Sequence, residues 1–133
     1  NWCGPCKKLD RETFGNKDLI KYVNDNYYAV KFNAEGNDTI EFQGYEFTNP
    51  NFDPTKTRRR NSSHEFTRAL QVSAYPTVVF LDKSSNVLYK LRGFQPVPQM
   101  EFFLKYLNGK YKEIKTQEEM NTYQNSFVYE FSK

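Results

Sequence analysis

The sequence predicts an α/β fold built as one domain of 133 residues. Residues 76–82, PTVVFLD, form an apolar run that is too short for a helix and indicates a buried strand. With 12 Phe and 10 Tyr, the chain has enough large side chains for a single core. An amphipathic helix near the end is indicated by apolar residues at i, i+3, i+4 and i+7: Met100, Phe103, Leu104 and Leu107.

The N-terminal part predicts two helices. Pro5 suits the first turn of a helix, where its missing N–H is not needed, and this helix should reach about Phe14. Gly15 and Asn16 end it. The second helix has one apolar stripe, formed by Leu19, Ile20 and Val23.

A strand and an insertion are predicted next. Residues 27–35, YYAVKFNAE, alternate between apolar and polar and predict a strand. From about residue 36 to 63 this order is interrupted. Within that insertion, residues 40–47 predict a small hairpin that turns at Gln43-Gly44, and the remainder, rich in Asn, Pro and Thr, is expected to be loop.

A short helix capped by Ser62 or Ser63 should lead into the strand at residues 76–82. After a polar turn, residues 87–93, VLYKLRG, are predicted to pair antiparallel with that strand.

Two features are predicted beyond the amphipathic helix. Thr116 and Glu119 form a capping box for one more short helix. Residues 126–131, SFVYEF, alternate aromatic and polar side chains and predict a strand that has no obvious partner.

Composition argues against two classes of partner. Hydrophobic residues make up 38% of the chain, and no apolar run approaches the roughly 20 residues that a bilayer requires. The net charge of +3 is weak. The tract Arg58-Arg59-Arg60 stands among Asn and Ser and is interpreted as a solvated loop, not as a nucleic-acid surface.

The two cysteines, Cys3 and Cys6, enclose Gly-Pro in the motif WCGPC. At a helix start this spacing puts both on one side of a turn, where their sulfurs can form a disulfide. A structural zinc site needs four ligands, whereas the only histidine, His64, lies in a different segment. A disulfide that closes so short a loop stabilises a fold little, so redox chemistry is the favoured interpretation.

The expected position of Cys3, just before a helix, favours its thiolate, because unpaired backbone N–H groups point at it. Lys7 and Lys8 add positive charge nearby. The predicted chemistry is attack by Cys3 on a substrate disulfide, followed by resolution of the mixed disulfide by Cys6. Trp2 would provide a flat apolar surface beside the pair.

The segments WCGPCK, AVKFNAE, YPTVVFLD and VLYKLRG, in this order, resemble the thioredoxin superfamily. The resemblance runs from Asn1 to about Leu107 and implies a thioredoxin-like fold, with a mixed central sheet flanked by helices. WCGPCKKLDRETF followed by a long polar insertion is similar to thioredoxin-related proteins of Bacteroidetes-type bacteria, many of them exported. We expect a single domain over residues 1–133, with the insertion at about 36–63 and a C-terminal extension at about 109–133.

This resemblance implies that Cys3 is the nucleophile, that Cys6 is the resolving thiol and that Pro76 is a cis-proline facing the pair. An ordinary proline at the start of a strand is the alternative for Pro76. In the family, the backbone of the residue before the cis-proline pairs with bound peptide, and a glycine after the last strand lies near the substrate groove. The candidate substrate-binding residues are therefore Trp2, Tyr75, Pro76 and Gly93.

The strand that precedes the motif in this family has no counterpart before Trp2. We expect either further residues before Asn1 or a replacement. Residues 126–131 are the candidate replacement, paired with the sheet within their own chain or by exchange in a dimer. An edge strand or a tail packed on the surface is the alternative, so the chain is expected to be a monomer or a strand-exchanged dimer.

The predicted function is a thiol–disulfide oxidoreductase that reduces protein disulfides, with the redox-active Cys3–Cys6 pair in place of a cofactor and no metal. Its partners would be protein disulfides and an electron donor that the sequence does not identify, with no nucleic acid and no transmembrane segment. The alternatives are a disulfide oxidase or isomerase, and a thioredoxin-fold binding module that acts through its groove and insertion. The resemblance implies a periplasmic or other extracytoplasmic location in a bacterium, with the cytoplasm as the alternative.

Overall fold

A computed structural model describes residues 2–132 of the chain; Asn1 and Lys133, the ends of the predicted domain, lie outside the described residues. The α/β class is confirmed, but the expected mixed central sheet is wrong for the described residues, whose strands form two separate two-stranded antiparallel sheets. The elements, in chain order, are α1 (Gly4–Lys8, continued by a π-helix, Leu9–Thr13), α2 (Lys17–Asn26), β1 (Ile40–Phe42), β2 (Tyr45–Phe47), α3 (Glu65–Ala69), β3 (Thr77–Leu81), β4 (Val87–Arg92), α4 (Val97–Leu107), a 3-10 turn (Lys110–Lys112) and α5 (Gln117–Ser126).

The chain divides into two compact units. The first comprises Asn1–Lys7 and Val30–Gly93, and the second comprises Lys8–Ala29 and Phe94–Lys133. No helix within residues 2–132 combines the length and the apolar character needed to cross a bilayer.

Two antiparallel hairpins belong to the first unit. In β1–β2, the predicted turn residues Gln43 and Gly44 have φ angles of 53° and 81°, the left-handed pair that a two-residue hairpin turn requires. In β3–β4, Thr77 pairs with Arg92 and Phe80 pairs with Tyr89. The apolar run therefore forms a strand as predicted, but Phe80 is the one buried residue within Thr77–Leu81, and Leu81 is exposed.

The long polar loop of the insertion is held by amide side chains. The Asn49 amide donates to the carbonyl oxygens of Gly36 and Ser62, at 2.8 and 2.7 Å. The Asn61 amide donates to the Asp53 carbonyl at 2.8 Å and accepts from the Asp53 N–H at 3.0 Å. Side chains therefore satisfy these four backbone groups, which no sheet or helix pairs.

The cap of α3 is His64, so the prediction of Ser62 or Ser63 is wrong by one or two residues. His64 has extended backbone angles, and its Nδ1 accepts the Phe66 N–H at 3.0 Å. Because Nδ1 is an acceptor, Nε2 carries the proton, and it donates to the Asp38 carbonyl at 2.6 Å. Both ring nitrogens of this fully buried histidine are thus satisfied within the fold.

The core of the second unit lies between helices. Tyr27 Oη donates to the Leu104 carbonyl at 2.6 Å, and Thr13 Oγ1 donates to the Gln95 carbonyl at 2.5 Å. The predicted capping box of α5 is present, since Thr116 Oγ1 accepts the Glu119 N–H at 3.1 Å. The buried apolar residues of this unit are Leu9 and five that the helical spacing identified: Leu19, Val23, Met100, Leu104 and Leu107. Ile20 of the predicted apolar stripe is instead 40% exposed, and Phe103 is partly buried.

The predicted strand at residues 27–35 is not formed. Residues 27–33 belong to no ladder, and Val30, one of the apolar residues of the alternation, is 88% exposed. Alternation specifies two faces, but a strand also needs a neighbour whose N–H and C=O groups are free to pair. Alternation alone therefore did not make this segment a strand.

The predicted strand at residues 126–131 is also wrong. Ser126 ends α5, and the following residues bind the side chains of helices instead of a sheet. The buried carboxylate of Glu101 accepts the N–H groups of Glu130 and Phe131, at 2.8 and 3.2 Å. The segment is therefore a surface tail, the alternative expected from sequence, and gives no support for strand exchange.

Candidate functional site

Cys3 and Cys6 form a disulfide at the start of α1. Cys3 directly precedes the helix, and its carbonyl accepts the Lys7 N–H at 3.2 Å. The N–H of Cys6 points at the Cys3 sulfur, with a distance of 3.2 Å from N to Sγ. Both cysteines are only partly buried, so a partner can approach the bond. A backbone donor is thus aimed at the sulfur that the sequence predicts to be the nucleophile.

Pro76 and Gly93 meet at the open end of the β3–β4 hairpin. The Tyr75–Pro76 peptide bond is cis, and Pro76 is buried. The Gly93 N–H donates to the Pro76 carbonyl at 2.7 Å, which extends the hairpin's ladder by one bond. Gly93 has a φ of 83°, whereas a Cβ there would meet nothing within 4 Å, so backbone conformation and not space favours glycine.

Trp2 and Tyr75 join the two segments. Their ring centroids are 5.6 Å apart in an edge-to-face arrangement. Because Trp2 precedes Cys3 and Tyr75 precedes Pro76, this contact brings the cysteine motif and the cis-proline segment together. The structure thus joins the predicted site residues as three pairs: Cys3 with Cys6, Trp2 with Tyr75, and Pro76 with Gly93.

Arg60, which lies in the insertion, also packs at this place. Its guanidinium carbon is 4.3 Å from the centroid of the Trp2 ring and 5.5 Å from that of Tyr75. Its Nε and Nη2 lie 2.9 and 2.8 Å from Oε2 of Glu35, whose side chain is only 3% exposed. The other Glu35 oxygen accepts the Asn61 N–H at 2.7 Å. The hydrogen bond to Glu35 raises the pKa of Arg60 further above its usual range, so the group remains a cation.

The sequence-based interpretation of the basic tract missed Arg60. All three arginines of the tract are exposed, as that interpretation expects, so Arg60 differs from the other two in its contacts and not in its exposure. Arg60 differs because its partner Glu35 is 25 residues away in the chain and Trp2 is further still. No local pattern carries this information, apart from the position of Glu35 directly before the insertion.

The described residues 2–132 contain no cluster of three or more His, Cys, Asp or Glu that could hold a metal ion. His64, the histidine weighed as a zinc ligand, uses both ring nitrogens inside the fold.

A family model described as a thioredoxin-like domain matches residues 1–108 of the chain. Neither a curated protein nor a solved structure shows a significant match.

Proposed function

Because the chain belongs to the family of thioredoxin-like domains, we propose that it is a thiol–disulfide oxidoreductase that reduces protein disulfides. Membership confirms the superfamily and the fold class predicted from sequence. The observation that carries the proposal is the Cys3–Cys6 disulfide itself, which is partly exposed at the start of α1. A bond between residues three apart constrains the unfolded chain little, so its reactivity is the better reason for its presence.

The proposed reaction starts from the reduced pair. The Cys3 thiolate attacks one sulfur of the substrate disulfide, a Cys3–substrate disulfide forms, and the other substrate sulfur leaves as a thiolate that takes up a proton. The Cys6 thiolate then attacks Cys3 Sγ and releases the second substrate thiol. Two electrons and two protons have passed to the substrate, and the Cys3–Cys6 disulfide is the oxidised product. The Cys6 N–H, placed 3.2 Å from Cys3 Sγ, supports this assignment because it would stabilise negative charge on that sulfur.

Tyr75 offers a means of holding the substrate. Among residues 2–132, no hydrogen bond uses the backbone N–H or C=O of Tyr75, whereas the Pro76 carbonyl is bound by Gly93. An extended peptide pairs with free backbone groups of this kind. We assign Tyr75 to backbone pairing with the substrate, Trp2 to apolar contact beside the cysteines, and Pro76 and Gly93 to shaping the groove.

The proposed reaction needs no cofactor, because the two sulfurs carry the electrons. An external dithiol donor must reduce the pair again after each turnover. The resemblance to exported bacterial proteins leads us to place the activity outside the cytoplasm, in the periplasm.

Insulin reduction by dithiothreitol tests the proposal. The wild-type protein should accelerate precipitation of the insulin B chain, and Cys3→Ser should fall to the rate of dithiothreitol alone. In a separate reaction without dithiothreitol, pre-reduced Cys6→Ser should accumulate a mixed disulfide with insulin, visible by mass spectrometry and removed when excess thiol is added. Equal rates for wild type and Cys3→Ser would refute the reductase and favour a binding module.

A further inference from the structure

We propose that Arg60 forms a carboxylate-binding site beside the cysteine pair, which selects disulfides flanked by an acidic residue. This inference rests on the proposed function for its biological use, and the binding that it predicts is measurable without turnover. Its ligand is the side chain of a Glu or Asp next to a half-cystine in a protein substrate.

The guanidinium of Arg60 is held in place before any ligand arrives. The buried Glu35 carboxylate binds its Nε and Nη2, and the Trp2 ring lies against it at 4.3 Å. Glu35 is itself fixed by the Asn61 N–H. A side chain that is already ordered loses little conformational entropy when it binds a partner, so its contacts contribute more to affinity.

Arg60 keeps hydrogen-bond donors for a ligand. A guanidinium has five N–H groups, and the contacts with Glu35 occupy Nε and one side of Nη2. Nη1 makes no hydrogen bond to any residue within 2–132, and 64% of the side chain is exposed. The end formed by Nη1 and the second N–H of Nη2 is therefore free to bind a carboxylate with two parallel bonds.

The surroundings of Arg60 favour an anion. Glu35 balances one positive charge, but the loop carries exposed Arg58 and Arg59 as further cations. The loop's acid, Asp53, accepts hydrogen bonds from Thr55, which lower the Asp53 pKa, and the positive charges of Lys56 and Arg59 lower it further. A peptide that reaches the exposed edge of Trp2 thus meets a cation whose neighbours are also positive.

A purely structural role for Arg60 makes a different prediction. If the guanidinium only anchored the insertion to Trp2, its loss would affect all substrates equally. A binding role affects acidic substrates more than neutral ones, and this difference between ligands is the quantity to measure.

Trp2 is the chain's single tryptophan, so its fluorescence reports binding at this place directly. The probes are two synthetic peptides whose central residue is Ser in place of the half-cystine, so that no redox reaction occurs. They differ only in the residue beside that Ser, which is Glu in one peptide and Gln in the other. Titrated into oxidised wild-type protein at physiological ionic strength, the Glu peptide should bind about tenfold more tightly, as expected for a charge-assisted hydrogen bond. Arg60→Gln should abolish this preference, and Arg60→Lys should keep only part of it, because an ammonium cannot form two parallel bonds.

Arg58→Gln is the matched control, since it removes the same charge from the same loop without touching Trp2, and it should retain the preference. Equal affinity of the two peptides for the wild-type protein would overturn the proposal, as would an undiminished preference in Arg60→Gln. The comparison of the two peptides on the wild-type protein does not depend on whether any variant folds. If insulin reduction fails while the Glu preference holds, the reductase is wrong and the carboxylate site stands; if reduction succeeds without any preference, only the Arg60 proposal is wrong.

Discussion

Replacing Glu101 with Gln tests the account of the C-terminal tail. The side chain of Glu101 is 1% exposed and lies on α4. Its Oε2 accepts from Lys105 Nζ at 2.7 Å and from the Glu130 N–H at 2.8 Å, and its Oε1 accepts the Phe131 N–H at 3.2 Å. Glutamine keeps the shape but has one acceptor oxygen, so its amide N–H groups must face at least one of these donors.

The cost follows from these contacts. Hydrogen bonds to a charged group are each worth about 1.5–3 kcal/mol, and a buried donor without a partner costs about 1–3 kcal/mol. Lys105 keeps Glu130 as a second carboxylate at 2.7 Å, so the cost should stay below that of a fully broken buried ion pair. We expect a loss of about 2–4 kcal/mol. For 133 residues, a typical unfolding entropy converts this loss into a decrease in Tm of about 7–14 °C.

Thermal unfolding followed by circular dichroism measures this change, and urea denaturation should give a lower midpoint with an unchanged m-value. Glu130→Gln is the control, because it removes the other partner of Lys105 at a side chain that is 70% exposed. It should cost under about 1 kcal/mol. In a chain truncated after Asn125, Glu101→Gln should cost less than in the full chain, since both tail N–H groups are gone. A full-length Glu101→Gln within about 0.5 kcal/mol of wild type would refute the account of the tail.

Two further predictions concern the site. In the reduced protein at neutral pH, iodoacetamide should alkylate Cys3 before Cys6, because the Cys6 N–H stabilises negative charge on the Cys3 sulfur. Peptide mapping after a short pulse of iodoacetamide measures the order of alkylation. Faster labelling of Cys6 would reverse the roles assigned to the two cysteines. Gly93→Ala should destabilise the protein by about 1 kcal/mol because alanine strains at a φ of 83°, where a Cβ meets no other atom. Gly4→Ala is the control, because Gly4 lies in a helix and a Cβ there also meets nothing within 4 Å. Denaturation experiments measure the free energy of unfolding of both variants, and an equal loss in the two would contradict the conformational argument.

Local patterns in the sequence determined the elements that need only local information. The spacing of Met100 and Leu104 identified α4 and its buried face, and Gln43-Gly44 identified a turn that the backbone confirms. The cysteine motif at a helix start was equally visible, because two residues one turn apart can bond without help from the rest of the chain. These features depend on neighbours within a few residues, which the order of the side chains states directly.

Tertiary structure decided everything that depends on a partner far away in the chain. Residues 27–35 and 126–131 alternate as strands do, yet neither forms a strand, since alternation describes the faces of a strand and not the neighbour that completes its hydrogen bonds. Arg60 looked like one of three solvated arginines until Glu35 and Trp2 were placed around it. A buried carboxylate such as that of Glu35 requires a hydrogen-bond donor. Only the folded chain shows which of the three neighbouring arginines provides it.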